Sequence, residues 1–147
     1  MAEKATTSEG LSAEERQAVK DRAKELRAEA KAGKNRAAGE KALLEAIAAL
    51  EGDDRKLAEE FRRVVGEAAP QLFPKTYYGM PAFANAEGKV VVFLQPASKF
   101  TSRYSTVGFD DTANLDDGDM WPTSFAVLTW SPAVEKRLRE LVATAAS

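Results

Sequence analysis

The amino-acid sequence predicts an α+β domain, an antiparallel sheet of about five strands with helices packed on one face, preceded by a helical N-terminal arm. Three observations predict it. Apolar residues recur at helical spacing through the first half of the chain and again at its end. From residue 75 they fall instead into short β-branched and aromatic runs separated by turn residues. One of these runs, Val90-Val91-Val92-Phe93-Leu94, is apolar on both faces, as a strand in mid-sheet would be. Two helices, a meander of strands and a closing helix are the order of helices laid on one face of an antiparallel sheet.

The arm comes first. Residues 12–32 are rich in Ala, Glu, Lys and Arg, and Ser12 stands three residues before Glu15, the capping-box spacing. The apolar face of this helix is thin. Val19, Ala23, Leu26 and Ala30 recur at helical spacing, but only Val19 and Leu26 carry much area, about 3 to 5 kcal/mol at best. The glycine-bounded polar stretch 33–39 reads as a linker and divides the chain into an arm with linker, 1–38, free to dock or to move, and a domain, 39–147.

Two helices with fuller stripes follow. Leu43, Leu44, Ile47 and Leu50 mark the first, which Gly52 stops; Leu57, Phe61, Val64, Val65 and Ala68 mark the second, with Asp53 as its expected N-cap and Pro70 beyond its end. Strands are expected at 75–78, 81–85, 89–94, 102–107 and 124–129. Asn85-Ala86-Glu87-Gly88 reads as a hairpin turn, and Pro96-Ala97-Ser98 ends the central strand. Ser131 and Pro132 then supply an N-cap and a first-turn proline to a last helix carrying Val134, Leu138, Leu141 and Val142.

Composition narrows the chemistry. Of 147 residues, 44% are hydrophobic and 30% charged, so most of the chain should fold as one domain without a staple. There is no cysteine, hence no disulfide, thiolate nucleophile or cysteine-held metal. With no histidine either, the usual general base and imidazole ligand are missing, and chemistry must fall to carboxylates, Tyr, Lys, Arg or a cofactor. The segment Met1-Ala2-Glu3-Lys4-Ala5-Thr6-Thr7 lacks the apolar core of a signal peptide and no stretch is apolar enough for a membrane span, which reads as a cytoplasmic protein without a membrane partner. A net charge of -2 gives no reason to expect nucleic acid as the main partner.

The segment Tyr77-Tyr78-Gly79-Met80-Pro81-Ala82-Phe83, followed by Gly88-Lys89-Val90-Val91-Val92-Phe93, resembles the YdhG-like family of small bacterial domains of unknown function. The resemblance covers about residues 40–147. It implies helices against a curved antiparallel sheet. Some members carry the label iron chaperone or frataxin-like, so iron enters as a cofactor through the resemblance alone. This chain departs from the family pattern at Lys99-Phe100-Thr101-Ser102-Arg103-Tyr104, where other members often have a histidine beside an aromatic, and at the acidic insertion 115–123. A metal role relying on that histidine would be lost here.

Three constellations could carry function. Asp110, Asp111, Asp116, Asp117 and Asp119 crowd into one stretch without Lys or Arg, and hard cations such as iron or calcium want converging carboxylates. Against this, Ala113 and Leu115 break EF-hand spacing, and the same residues suit a cap at Asp111 and a turn at Asp116-Asp117-Gly118. The aromatic and basic set Tyr78, Phe83, Lys99, Arg103, Tyr104 and Trp121, with Tyr77 and Phe100 nearby, could line a groove for a small anionic or aromatic ligand or a protein segment. It could equally be core and edge packing, with Gly79 and Pro81 forming a bend. The basic arm, with Arg16, Lys20, Arg22, Lys24, Arg27, Lys31, Lys34 and Arg36, could reach nucleic acid, or be a solvated face whose acids Asp21, Glu25 and Glu29 form helical pairs. Paired aspartates as acid and base would make an enzyme, but no spacing sets two carboxylates across a cleft. The sequence reads as a noncatalytic binding domain, with an iron-binding protein using the acidic loop as the alternative.

Overall fold

The computed structural model describes residues 12–32 and 36–147. These hold α1 (Ala13–Ala32), α2 (Arg36–Ala48), α3 (Gly52–Ala68), β1 (Phe73–Tyr77), β2 (Met80–Ala84), β3 (Val90–Gln95), a 3-10 helix (Ala97–Phe100), β4 (Ser105–Phe109), β5 (Ser124–Val127) and α4 (Pro132–Ala145). The strands form one open sheet in the order β1-β2-β3-β4-β5, each antiparallel to the next. The protein is therefore of the α+β class.

Local chemistry sets most boundaries. Ser12 Oγ accepts from the Glu15 N–H at 3.0 Å while Glu15 Oε1 accepts from the Ser12 N–H at 2.8 Å, so both halves of the capping box form at the start of α1. Ser131 Oγ accepts from the Val134 N–H at 3.2 Å at the start of α4, with Pro132 inside the first turn. Asp53 is not the N-cap of α3. The helix begins at Gly52, Glu51 precedes it without a side-chain cap, and Asp53 and Asp54 lie in the first turn, where carboxylates favour the helix dipole. Of the expected linker, residues 33–35 lie outside the described residues, as does the N-terminal heptapeptide 1–7; residues 36–39 form the first turn of α2.

Strand pairing puts Phe83, Val92 and Phe109 in one row and Leu94, Val107 and Phe125 in the next, all on one face. Leu43 and Ile47 of α2, Phe61, Val64 and Val65 of α3, and Leu138 and Val142 of α4 complete the core there. At the β1 side α2 lies against the strand itself: a Cβ on Gly39 would stand 2.1 Å from the Pro74 carbonyl oxygen, so only glycine allows the approach. The second face of the sheet carries Tyr77, Ala82, Phe93 and Gly108, with the Phe93 ring filling the space where a Gly108 side chain would be. Among the described residues, no helix is long and apolar enough to cross a membrane.

Candidate functional site

The β1–β2 connection is a two-residue turn in which both Tyr78 (φ 53°) and Gly79 (φ 78°) take positive φ, closed by the Tyr77–Met80 pair. Asparagine or glycine would normally occupy the first of these positions. Tyr78 is held in it from outside the hairpin: Glu25 of α1 accepts from the Tyr78 N–H at 2.8 Å and from the Gly79 N–H at 2.6 Å. Asp21 pairs with Lys99 at 3.7 Å, Arg22 stands 5.1 Å from the Tyr77 ring and 5.8 Å from that of Tyr78, and Glu14 accepts from the Thr101 hydroxyl. The arm is thus seated on the hairpin tip and the 3-10 helix through polar groups. Ala18 is its one buried residue among those described, and Val19 and Leu26 stay half exposed.

This seat accounts for two of the expected ligand residues, Tyr78 and Lys99, as contacts of the chain with itself. Phe83 does not share a groove with them. Its ring is 4% exposed and packs on Phe61 at 5.9 Å, on the face of the sheet opposite Tyr77, because the alternation of β2 turns it into the core. Arg103 lies over Tyr104 at 5.3 Å beyond the 3-10 helix, and Trp121 is half-buried in the β4–β5 connection. The arm's acids are used as pairs only in part: Glu25 meets Arg22 at 3.8 Å, while Asp21 faces Gln17 and Lys99 rather than Lys24.

The five aspartates do not gather. Asp111, Asp116, Asp117 and Asp119 are exposed, and among the described residues no three acidic side chains are placed to hold a metal ion. No helix forms at Asp111; Asp110 opens a turn, its carbonyl accepting from the Ala113 N–H. Asp110 alone turns inward, to a hydrogen bond with Tyr77. Burial pushes the Asp110 carboxyl above the ordinary carboxylate value of 3.8, against the Tyr77 hydrogen bond, and burial likewise raises the Tyr77 phenol.

An apolar cleft of ligand size lies elsewhere, between α3, α4 and the β4–β5 end of the sheet. It is a cavity of about 360 Å³ walled by Leu57, Phe61, Leu94, Val107, Phe125, Val127, Leu138 and Leu141, with Trp130, Ala133, Val134 and Arg137 toward the outside. Its one ionisable wall residue is Arg137, whose guanidinium lies 5.4 Å from the Phe125 ring centre. The neighbouring cations on α4 are neutralised, Lys136 by Glu140 and Arg139 by Glu67 and Glu135. Arg137 has no carboxylate partner among the described residues. A ladder of Arg63 with Glu60 and Glu135, and Arg139 with Glu67, ties α4 to α3 beside the cavity and holds the Glu135 carboxyl below its ordinary value. None of the six expected ligand residues lines this cavity. The signal that could have found it is an arginine one turn beyond Val134 at the edge of the apolar stripe of α4, with Trp130 just ahead of the helix.

No protein-family model matches the chain, and neither a curated protein nor a solved structure matches it.

Proposed function

We propose that the protein is a noncatalytic binding domain for a small amphipathic anion, taken up in the cavity between α3, α4 and the β4–β5 end of the sheet. One observation carries the reading: an apolar enclosure of about 360 Å³ bordered by a single unneutralised guanidinium. That volume falls in the range of small-molecule sites, which are apolar with a few polar groups that fix orientation. A carboxylate or sulfonate head would meet Arg137, through two parallel N–H donors, while its aliphatic or aromatic body fills the space beside Phe125 and Trp130. The walls offer no carboxylate, lysine, tyrosine or other group able to shuttle a proton, which favours binding over turnover. The YdhG-like resemblance, carried by Tyr78 through Phe83, none of which lines the cavity, stays a proposal about kinship and lends the cavity no ligand.

The test is a chain-length series of straight-chain carboxylates followed by thermal shift and calorimetry. Each buried methylene should improve Kd about fourfold, from about 0.8 kcal/mol, until the cavity is full and the gain stops. Saturation at a hundred times Kd should add about 2.7 kcal/mol of stability. Arg137→Gln should weaken the carboxylates and leave the matched alcohols unchanged, and Ala133→Phe should abolish both. Affinity independent of chain length, or equal for acid and alcohol, would refute the reading.

A further inference from the structure

Docking sorts the charges of α1. The stripe it turns to the domain is Glu14, Ala18, Asp21 and Glu25, at i, i+4, i+7 and i+11. Ala18 is buried, and the three acids meet Thr101, Lys99 and the Tyr78 and Gly79 N–H groups. Two residues further along a helix is about 200° of rotation, so Arg16, Lys20 and Arg27, with Lys24 beside them, fall on the opposite side. All four are exposed. Glu15, at the first turn, is held by the Ser12 N–H.

Helical pairing does not cancel this outward row. Lys20 and Arg27 have no acid three or four residues away in either direction, and the one acid so placed for Lys24, Asp21, is turned to Lys99 and Gln17. Lys20, Lys24 and Arg27 have no carboxylate partner among the described residues. Like charges at i, i+4 and i, i+3 disfavour a helix, and since these side chains are exposed, packing does not offset that cost. A chain of net charge -2 thus presents, on its docked arm, a row of cations about 16 Å long.

We infer that this face of the docked arm binds the phosphate backbone of double-stranded nucleic acid without reading its sequence. The chemistry of the face selects among polyanions. An interfacial helix buries a broad apolar face in a membrane, and α1 offers only Val19 and Leu26 as large apolar side chains. Single strands are held by aromatic rings on which unpaired bases stack, and α1 has no aromatic residue. A duplex carries one charge per about 1.7 Å of its axis, so a straight row of long side chains finds phosphates in any register and gains from the counterions released. An acidic protein segment offers neither that charge density nor that regularity. Contacts of this kind position a duplex and leave its base edges unread.

Fluorescence anisotropy of the full chain with two short DNA duplexes of unrelated sequence tests this. Both should bind alike, with log affinity falling against log salt at a slope of about -3 for three cations, a loss of about 40-fold between about 50 and 200 mM. Lys20→Gln and Lys24→Gln should each weaken both duplexes and reduce the slope by about one. The Asp21→Ala, Glu25→Ala double variant removes two negative charges and with them the arm's seat. It should bind several-fold more weakly, because an undocked arm is a marginal helix that no longer holds its cations in a row. The inference is overturned by no binding at about 50 mM salt, by a slope that Lys20→Gln leaves unchanged, or by a double variant that binds more tightly. Tighter binding to a single strand of the same length, or retention by phosphatidylserine vesicles or polyglutamate at salt that releases the duplex, would also overturn it and assign the face to that partner instead.

Discussion

Replacing Glu25 tests how the arm is held. Its side chain is 11% exposed and accepts two backbone N–H groups, from Tyr78 and Gly79. Hydrogen bonds to a charged group contribute about 1.5 to 3 kcal/mol each, so the pair supplies about 3 kcal/mol or more of docking. The apolar contribution is smaller or comparable: Val19 and Leu26, each half exposed, give about 1.5 to 3 kcal/mol together. Glu25→Ala should therefore shift the docking equilibrium by about a hundredfold toward an undocked arm. The core, whose buried residues all lie after the arm apart from Ala18, should keep its thermal midpoint. Native-state hydrogen exchange reads the difference, with the α1 amides losing protection while those of β2 and β3 do not. Glu25→Gln should fall between, keeping one neutral acceptor. Because the contacts are polar, added salt should loosen α1 in the wild-type protein in the same way. Unchanged α1 protection in Glu25→Ala, or a fall in the global midpoint together with it, would show that apolar burial and not the carboxylate seats the arm.

Gly39→Ala, which would favour an isolated helix by about 1 kcal/mol, should instead destabilise by about 1 to 3 kcal/mol because the new methyl meets the Pro74 carbonyl; a raised urea midpoint would contradict this. Ser131→Ala removes the side-chain cap of α4 and should cost about 1 kcal/mol by chemical denaturation. For Asp110, whose folded carboxyl titrates above its ordinary value of 3.8, stability is full below the unfolded value and is lost as pH rises through the raised folded one. Asp110→Asn should therefore gain on the wild type between acid and neutral pH, and parallel pH profiles of the urea midpoint would exclude a role for burial of that charge.

Much of the architecture was legible before any coordinates, for local reasons. Ser12 with Glu15 and Ser131 with Pro132 state their helix starts within four residues, and Asn85 with Gly88 states its turn, where Asn85 Oδ1 accepts from the Glu87 and Lys89 N–H groups. Strand runs were legible because β-branched and aromatic residues fall into short runs between turn residues. The beginning of α3 was not, since Asp53 and Gly52 both suit a helix entry and Gly52 takes the positive φ there.

The site residues were harder to read because sharing a site depends on which face a strand turns toward which helix. Phe83 and Tyr78 are five positions apart and look like one cluster, yet pairing sends Phe83 to Phe61 and leaves Tyr78 at a turn. Five aspartates close in sequence splay apart because a loop has no period to bring them to one side. Arg137, Phe125 and Trp130, distributed over β5, α4 and the link between them, meet only when α4 crosses back over the sheet. The sequence by itself determined the order of elements, their caps, the mid-sheet strand and the absence of histidine and cysteine chemistry, since all are written in neighbouring residues. The tertiary structure decided that the arm is seated through Glu25, Asp21 and Glu14, that a ligand-sized space lies under α4, and that β5 is the outer strand, because each follows from packing between segments far apart in the chain.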